Sequence, residues 1–270
     1  MEVIAPAKIN LVLRVGPRRA DGFHAVSTVL AALELGDRLQ IATARSTTVR
    51  APTLPGGDTL VTRAIGLLVE RSGHAGGFTI EIEKRVPAGA GLGGGSADAG
   101  VALRVANTLL ARPLADRELL EVAAAVGSDV PFFAAGWDAA RAAGRGEVLE
   151  EAVLPRQVPR FVVVAWPGLA LATADVYGAF EQPDSLRPAL LADLGANDLG
   201  VAAEALCPAS AALRVALERA GAVVASVSGS GSAVYGLFHD EAHATRGLSA
   251  VRSAPWSAVT RLADRGTMQT

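Results

Sequence analysis

The chain has 270 residues, 50% of them hydrophobic and 19% charged, with 25 basic and 27 acidic side chains and a net charge of −2. That apolar share excludes intrinsic disorder, and the balanced charge excludes a general nucleic-acid binder, which needs a clustered basic face. The longest apolar run, residues 161–174, contains Pro167 and Gly168 and falls short of the roughly 20 residues of a membrane span, so it is expected as a buried element. One cysteine, Cys207, and an N-terminus without a basic region or long apolar stretch fit a soluble cytoplasmic protein in a reducing compartment.

In chain order, residues 2–15 alternate apolar and polar side chains and are expected as a strand. Residues 17–22 (PRRADG) form a turn-rich basic loop. Two further strands are expected over 25–35 and 38–44, separated by Gly36-Asp37, and then an exposed loop over 45–57. A helix over 58–71 has Asp58 as its N-cap and Gly73 just past its end. A strand over 78–85 leads into a glycine cluster and a helix over 96–110, and a second helix covers 116–126, stopped by Gly127. Pro155 and Pro159 mark the expected boundary between a domain of residues 1–157 and one of residues 158–270. The second half is expected to hold a strand over 161–166, helices within 172–180, 189–206 and 209–220, and paired strands over 223–227 and 233–238. A helix over 241–253 and a strand over 257–262 close it. This is the pattern of a small α+β domain with helices on one sheet face.

Five stretches carry the chemistry. The first is Pro87-Ala88-Gly89-Ala90-Gly91-Leu92-Gly93-Gly94-Gly95-Ser96, with five glycines in seven residues between a strand and a helix. Bare backbone N–H groups and the positive end of the following helix make an anion site suited to phosphate. The segment GAGLGG fits GxGxxG, but no acid lies about 20 residues on, as a dinucleotide site requires, and no Gly-Lys-Ser/Thr follows, as a Walker A loop requires. The second is Gly127-Ser128-Asp129-Val130-Pro131, where Pro131 disfavours helix at Val130 and sets Asp129 on a turn; a plain turn aspartate fits the same residues. The third is Lys8 and Asn10, two residues apart and so on one strand face. Lys8 and Lys84 are the only lysines in a chain that otherwise uses arginine, and an inward lysine would need an acid beside it. The fourth is Asp21-Gly22-Phe23-His24, an aromatic beside a histidine that suits a base or sugar, or simply a turn. The fifth is Ser228-Gly229-Ser230-Gly231-Ser232, a second phosphate-facing loop or a hairpin turn.

Taken together and in this order, with GRGE at Gly144–Glu147, NDL at Asn197–Leu199 and the Pro167-to-Tyr177 segment, these stretches resemble the GHMP kinase superfamily over nearly the whole chain. DGFH with GSDVPFF points to the branch whose acceptor is methylerythritol carried on a cytidine diphosphate. The resemblance implies a two-domain α+β fold with the active site in the interdomain cleft, and ATP-dependent phosphorylation of an alcohol with Mg2+. It implies an ATP loop from Pro87 to Ser96 closed by Gly229, Ser230 and Gly231, with Lys8 and Asp129 catalytic. Asn10 and Thr173 correspond to positions near the methylerythritol, and Phe23, His24 and Tyr177 to positions around the cytidine. No metal ligand is assigned. A small-molecule substrate, without nucleic acid or membrane, and a monomer or homodimer are expected. The family usually has tyrosine at Phe23, serine at Ala97 and alanine at Gly100. A nucleotide sensor without catalysis and a dehydrogenase using the glycine loop are the competing readings.

Overall fold

The alternating apolar pattern of the first 44 residues builds one long antiparallel ribbon, β1 (Glu2–Arg18) against β2 (His24–Ala44). In the computed structural model, which describes residues 1–54 and 59–264, Gly36-Asp37 does not interrupt the second strand. Gly36 lies opposite Pro6 and Asp37 opposite Ala5, and a side chain at 36 would meet the Ala5 carbonyl oxygen at 2.3 Å. Glycine therefore lets the strand continue through a close backbone approach.

The other edge of β2 is divided between two partners. Residues 28–31 pair with β5 (Ala139–Ala143), and residues 38–44 pair with β4 (Gly77–Glu83). β6 (Val148–Glu151) extends the sheet beyond β5, and β3 (Thr48–Arg50) lies parallel to β4 within the segment expected as a loop. Residues 139–143 (AARAA) show little apolar alternation, and the open edge of β2 selects them as a strand.

Four helices cover one face of this sheet: α1 (Thr59–Ser72), α2 (Gly94–Thr108), α3 (Asp116–Val126) and α4 (Val130–Ala135). Asp58, the expected cap of α1, lies outside the described residues. Ile65, Leu68, Val101, Phe132 and Phe133 pack on Leu39, Ile41, Phe78 and Ile80 of the strands. Gly100 is where α2 and α4 touch: a Cβ there would sit 2.7 Å from both the Phe133 Cβ and the Val130 carbonyl oxygen. Contrary to expectation, Val130 is helical. Pro131 stands in the first turn of α4, where a missing N–H costs no helical bond, so the helix starts one residue before the proline.

The second sheet has the order β10-β7-β9-β8, all antiparallel, formed by β7 (Phe161–Trp166), β8 (Val224–Val227), β9 (Val234–Phe238) and β10 (Trp256–Arg261). Period-two alternation divides its side chains. Val162, Val164, Tyr235 and Leu237 meet Ile9, Leu11, Ala31 and Leu33 of the first sheet. Val163, Ala165, Val234 and Phe238 face the other way, with Leu213, Leu217, Ala244 and Val251. That side is covered by α7 (Pro208–Arg219) and α8 (Glu241–Ala250), while α5 (Thr173–Gly178) and α6 (Gly200–Leu206) flank the junction with β1. Residues 189–206 are not one helix. Between a 3-10 turn at Leu191–Asp193 and α6, Gly195 N donates to Leu11 O (2.8 Å), Leu13 N to Ala196 O (2.8 Å) and Asp198 N to Leu13 O (3.0 Å). Those bonds to β1 replace the helical ones. Among the described residues, no single helix is long and apolar enough to cross a membrane.

Candidate active site

The register of β1 against β2 shifts on both sides of the Lys8-to-Asn10 segment, between Pro6 and Lys8 and between Asn10 and Val12. Such bulges re-aim side chains, and Lys8 and Asn10 both turn into one cavity of about 250 Å³. Both are only 5% exposed. The Lys8 ammonium donates to Asn10 Oδ1 at 2.7 Å and faces Asp129 Oδ2 at 3.9 Å. Burial pulls the Lys8 pKa below its usual 10.5, and the Asp129 charge opposes that fall.

The glycine loop closes the cavity. Gly93 ends it as the N-cap of α2 in a left-handed conformation (φ 72°), and a Cβ there would lie 2.9 Å from Lys8 Cγ. Lys8 N donates to Leu92 O at 2.9 Å, which ties β1 to the loop. Gly91 and Gly93 border the cavity, while Ala90 and Leu92 anchor the loop in the core between the sheets. Pro87, Ala88 and Gly89 of the loop, and Gly94, Gly95 and Ser96 in the first turn of α2, lie outside the wall of the cavity.

The second glycine loop docks on the first. Ser228 Oγ donates to Gly91 O (3.0 Å), and Ala233 N to Ala90 O (2.9 Å). Gly229 and Ser230 border the cavity, and Gly231 packs behind them against Gly91. Ser230 Oγ lies 3.1 Å from Thr173 Oγ1.

A larger cavity, of about 620 Å³, adjoins the first. The two share Val26, Ser128, Arg145, Thr173 and Tyr177 in their walls. Phe23 and His24 line the larger one. The His24 and Tyr177 rings lie 5.1 Å apart, and the Arg145 guanidinium sits 5.0 Å over the ring of Phe23. His24 Nδ1 is 2.9 Å from Gly16 O, so Nδ1 carries the proton and leaves Nε2 as an acceptor in the neutral ring. Burial, with the Asp129 charge second, pushes the Tyr177 hydroxyl up to about 12.

Three supporting residues are absent from the candidates read from the sequence. Lys84 is nearly buried and joins Asp37 to Asp98, both fully buried; it lies 2.6 Å from Asp98 and closer still to Asp37. Asp37 also accepts from Arg85 N and Val86 N, fixing the chain as it enters the glycine loop. The rarity of lysine was a signal that applied to Lys84 as much as to Lys8. Asn197 Nδ2 donates to Val227 O (2.9 Å) and Gly229 O (2.8 Å), holding the second glycine loop. Arg145 belongs to the GRGE turn, whose motif was visible without its role.

This cleft, a phosphate-type loop beside a lysine–aspartate pair and an aromatic-walled pocket, is that of a GHMP-type small-molecule kinase. The chain matches the family models "GHMP kinases N terminal domain" over residues 59–137 and "GHMP kinases C terminal" over residues 179–257. It is 42% identical over 258 residues to a 4-diphosphocytidyl-2-C-methyl-D-erythritol kinase of Anaeromyxobacter sp. strain K, covering 87% of this chain and 80% of that protein. Identity to the kinase of the same name from Desulfotalea psychrophila is 38% over 253 residues, covering 87% and 84%. A crystal structure of 4-(cytidine 5'-diphospho)-2C-methyl-D-erythritol kinase superposes with a TM-score of 0.85 at 37% identity, over 98% of this chain and 100% of the other. The chain belongs to the 4-diphosphocytidyl-2-C-methyl-D-erythritol kinase family. A homoserine kinase from Cytophaga hutchinsonii, at 19% identity and TM-score 0.65 over 94% and 95% of the two chains, shares the fold.

Proposed function

We propose that this protein transfers the γ-phosphoryl group of ATP to the 2-hydroxyl of 4-diphosphocytidyl-2-C-methyl-D-erythritol, a step of the non-mevalonate route to isoprenoid precursors. The observation that carries this reading is the continuous cleft with the Lys8–Asp129 pair in one cavity and aromatic rings around the next. Its length suits an acceptor with a nucleobase at one end and a reacting alcohol at the other.

Phosphoryl transfer asks a protein for positioning and charge neutralisation. The backbone N–H groups of residues 88–93 and the N-terminus of α2 hold the ATP phosphates, beside Pro87, with Gly229, Ser230 and Gly231 closing over them. Asp129 orients the acceptor hydroxyl and takes its proton. Lys8 keeps Asp129 ionised and stabilises negative charge on the transferring group. Asn10 and Thr173 contact the methylerythritol. Phe23 and Tyr177 hold the cytosine faces, and the free Nε2 of His24 suits the exocyclic amine. Arg145, where the two cavities meet, faces the diphosphate.

Magnesium fits this site as the partner of ATP rather than of a protein cage. Among the described residues no group of three or more His, Cys, Asp or Glu side chains could hold a metal ion. Mg2+ commonly uses one or two protein oxygens and takes the rest from phosphates and water. Ser96 is the protein oxygen donor suited to this here, and the ion would neutralise phosphate charge. The domain division at 157/158, a cytoplasmic location and a monomer or homodimer complete the proposal; the buried, unpaired Cys207 supports the location.

The test is ADP release in a coupled assay with Mg-ATP and the named acceptor, wild type beside Asp129→Asn. Wild-type turnover with a loss of about 10²–10⁴ in the variant is expected for a positioned acid–base group. A wild type that ignores this acceptor but phosphorylates mevalonate or homoserine would overturn the substrate assignment.

A further inference from the structure

Four buried groups near the reacting end form a directed chain. Thr28 Oγ1 donates its one proton to Val12 O at 2.6 Å, so toward Asn10 it acts only as an acceptor. Asn10 Nδ2 fills that role, donating to Thr28 Oγ1 at 2.8 Å. The amide is thereby oriented with Oδ1 toward Lys8, whose ammonium, a donor only, lies 2.7 Å away. The two ends of the chain demand the same amide orientation. Thr28 is 5% exposed and lines the smaller cavity. The backbone of Asn10 is held independently, since Tyr235 Oη donates to Asn10 O at 2.9 Å.

We infer that Thr28 is a positioning residue for the phosphoryl-transfer step: its hydroxyl fixes the Asn10 amide so that an acceptor oxygen always faces the Lys8 ammonium. This rests on the proposed role of Lys8. Without the hydroxyl the Asn10 NH2 loses its acceptor and Lys8 alone holds the amide, so Oδ1 is less firmly aimed at the ammonium and its charged form is weakened. The other charged or titratable groups around this cavity are Asp129 from the turn before α4, Tyr177 of α5 and Arg145 of the β5–β6 turn. None of them touches Thr28 through a hydrogen bond, so a change there reaches Lys8 through Asn10.

The experiment compares Thr28→Val, which keeps the shape and removes the hydroxyl, with Thr28→Ser, which keeps the hydroxyl. Two readouts are taken. The first is kcat and the KM for ATP across pH. In Thr28→Val kcat falls about 10- to 100-fold, the range for losing a hydrogen bond to a charged group, while the KM for ATP stays within about twofold. The alkaline limb of the profile moves to lower pH, because the lost acceptor had favoured protonated Lys8. Thr28→Ser stays near wild type. The second readout needs no acceptor. With two lysines in the chain, isotope-labelled lysine gives two side-chain NMR signals, and Lys8→Met assigns them by loss of one. The Lys8 titration midpoint drops by about one pH unit in Thr28→Val and is restored in Thr28→Ser. An unchanged Lys8 midpoint in a folded Thr28→Val overturns the inference, as does equal impairment of both variants. Failure of the wild type to use the acceptor, with the Lys8 shift intact, instead counts against the proposed function alone.

Discussion

Replacing Gly91 by alanine tests whether the two glycine loops form one rigid phosphate site. Gly91 has φ +83°, and an added Cβ would lie 2.4 Å from Ser228 O and 2.8 Å from Gly231 O, both backbone atoms. The left-handed conformation costs a residue with a Cβ about 1–2 kcal/mol. Forcing a methyl into packed surroundings adds about 1–3 kcal/mol, for a total of about 2–5 kcal/mol. The second loop has nowhere to retreat, because Asn197 holds Val227 O and Gly229 O and Ser228 Oγ holds Gly91 O. At about 2–4 °C per kcal/mol for a chain of this size, the melting temperature of Gly91→Ala falls by about 4–20 °C. The KM for ATP rises at least about tenfold, since the amides that would meet the phosphates are displaced. Gly95→Ala, in the first turn of α2, is the control: its Cβ meets only the tip of Leu60 at 3.4 Å, and alanine suits a helical position better than glycine. It melts at or slightly above wild type. Thermal unfolding and ATP kinetics on both variants decide the matter, and a Gly91→Ala protein with wild-type melting and KM would refute the packing argument.

The two lysines are predicted to act in opposite directions on stability. The Lys84 pKa rises above 10.5, because its aspartate partners outweigh the effect of burial. Its contribution is therefore complete below about pH 10.5 and lost as the pH climbs through the raised value. Lys84→Met strips the shared cation from buried Asp37 and Asp98 and destabilises by about 3–5 kcal/mol, measured by urea unfolding at neutral pH. The Lys8 pKa is lowered, so between that value and 10.5 the unfolded chain binds more protons and stability rises with pH. Lys8→Met accordingly raises the melting temperature at neutral pH, by a margin that shrinks toward pH 10.5, while kcat drops by about 10²–10⁴. Tyr177→Leu raises the KM for the cytidine-bearing acceptor by about 2–10-fold, the worth of an aromatic contact, and leaves the KM for ATP unchanged in steady-state kinetics.

Much of this cleft was legible because its chemistry is concentrated in short stretches. Glycines that must take positive φ, an aspartate after a helix end and a serine–glycine run are local features, and each lands at one cleft. The second half's paired strands, α7 and β7 were equally plain, since their apolar runs end at strong breakers. What escaped is settled by distant partners. Gly36 looks like a break until Pro6 is seen opposite it. Residues 194–199 look helical until Leu11 and Leu13 offer them backbone groups. Residues 139–143 become a strand only because β2 leaves an edge open. Thr28, Lys84 and Asn197 escaped for the same reason: each acts on a residue that is remote in sequence or lies across a strand pair.

β1 has a mechanical role beyond carrying Lys8. Its first residues belong to the larger sheet, its Lys8 N–H is bonded to the glycine loop, and its Asn10, Leu11 and Leu13 are bonded to Tyr235 and to residues 195–198 of the second half. One strand thus serves as an axle clamped on both sides. If the two halves swing, the displacement is greatest at the outer rims and least along this line. The Lys8 ammonium would stand at the still point of such a movement, so the cleft could widen for a long acceptor without displacing it.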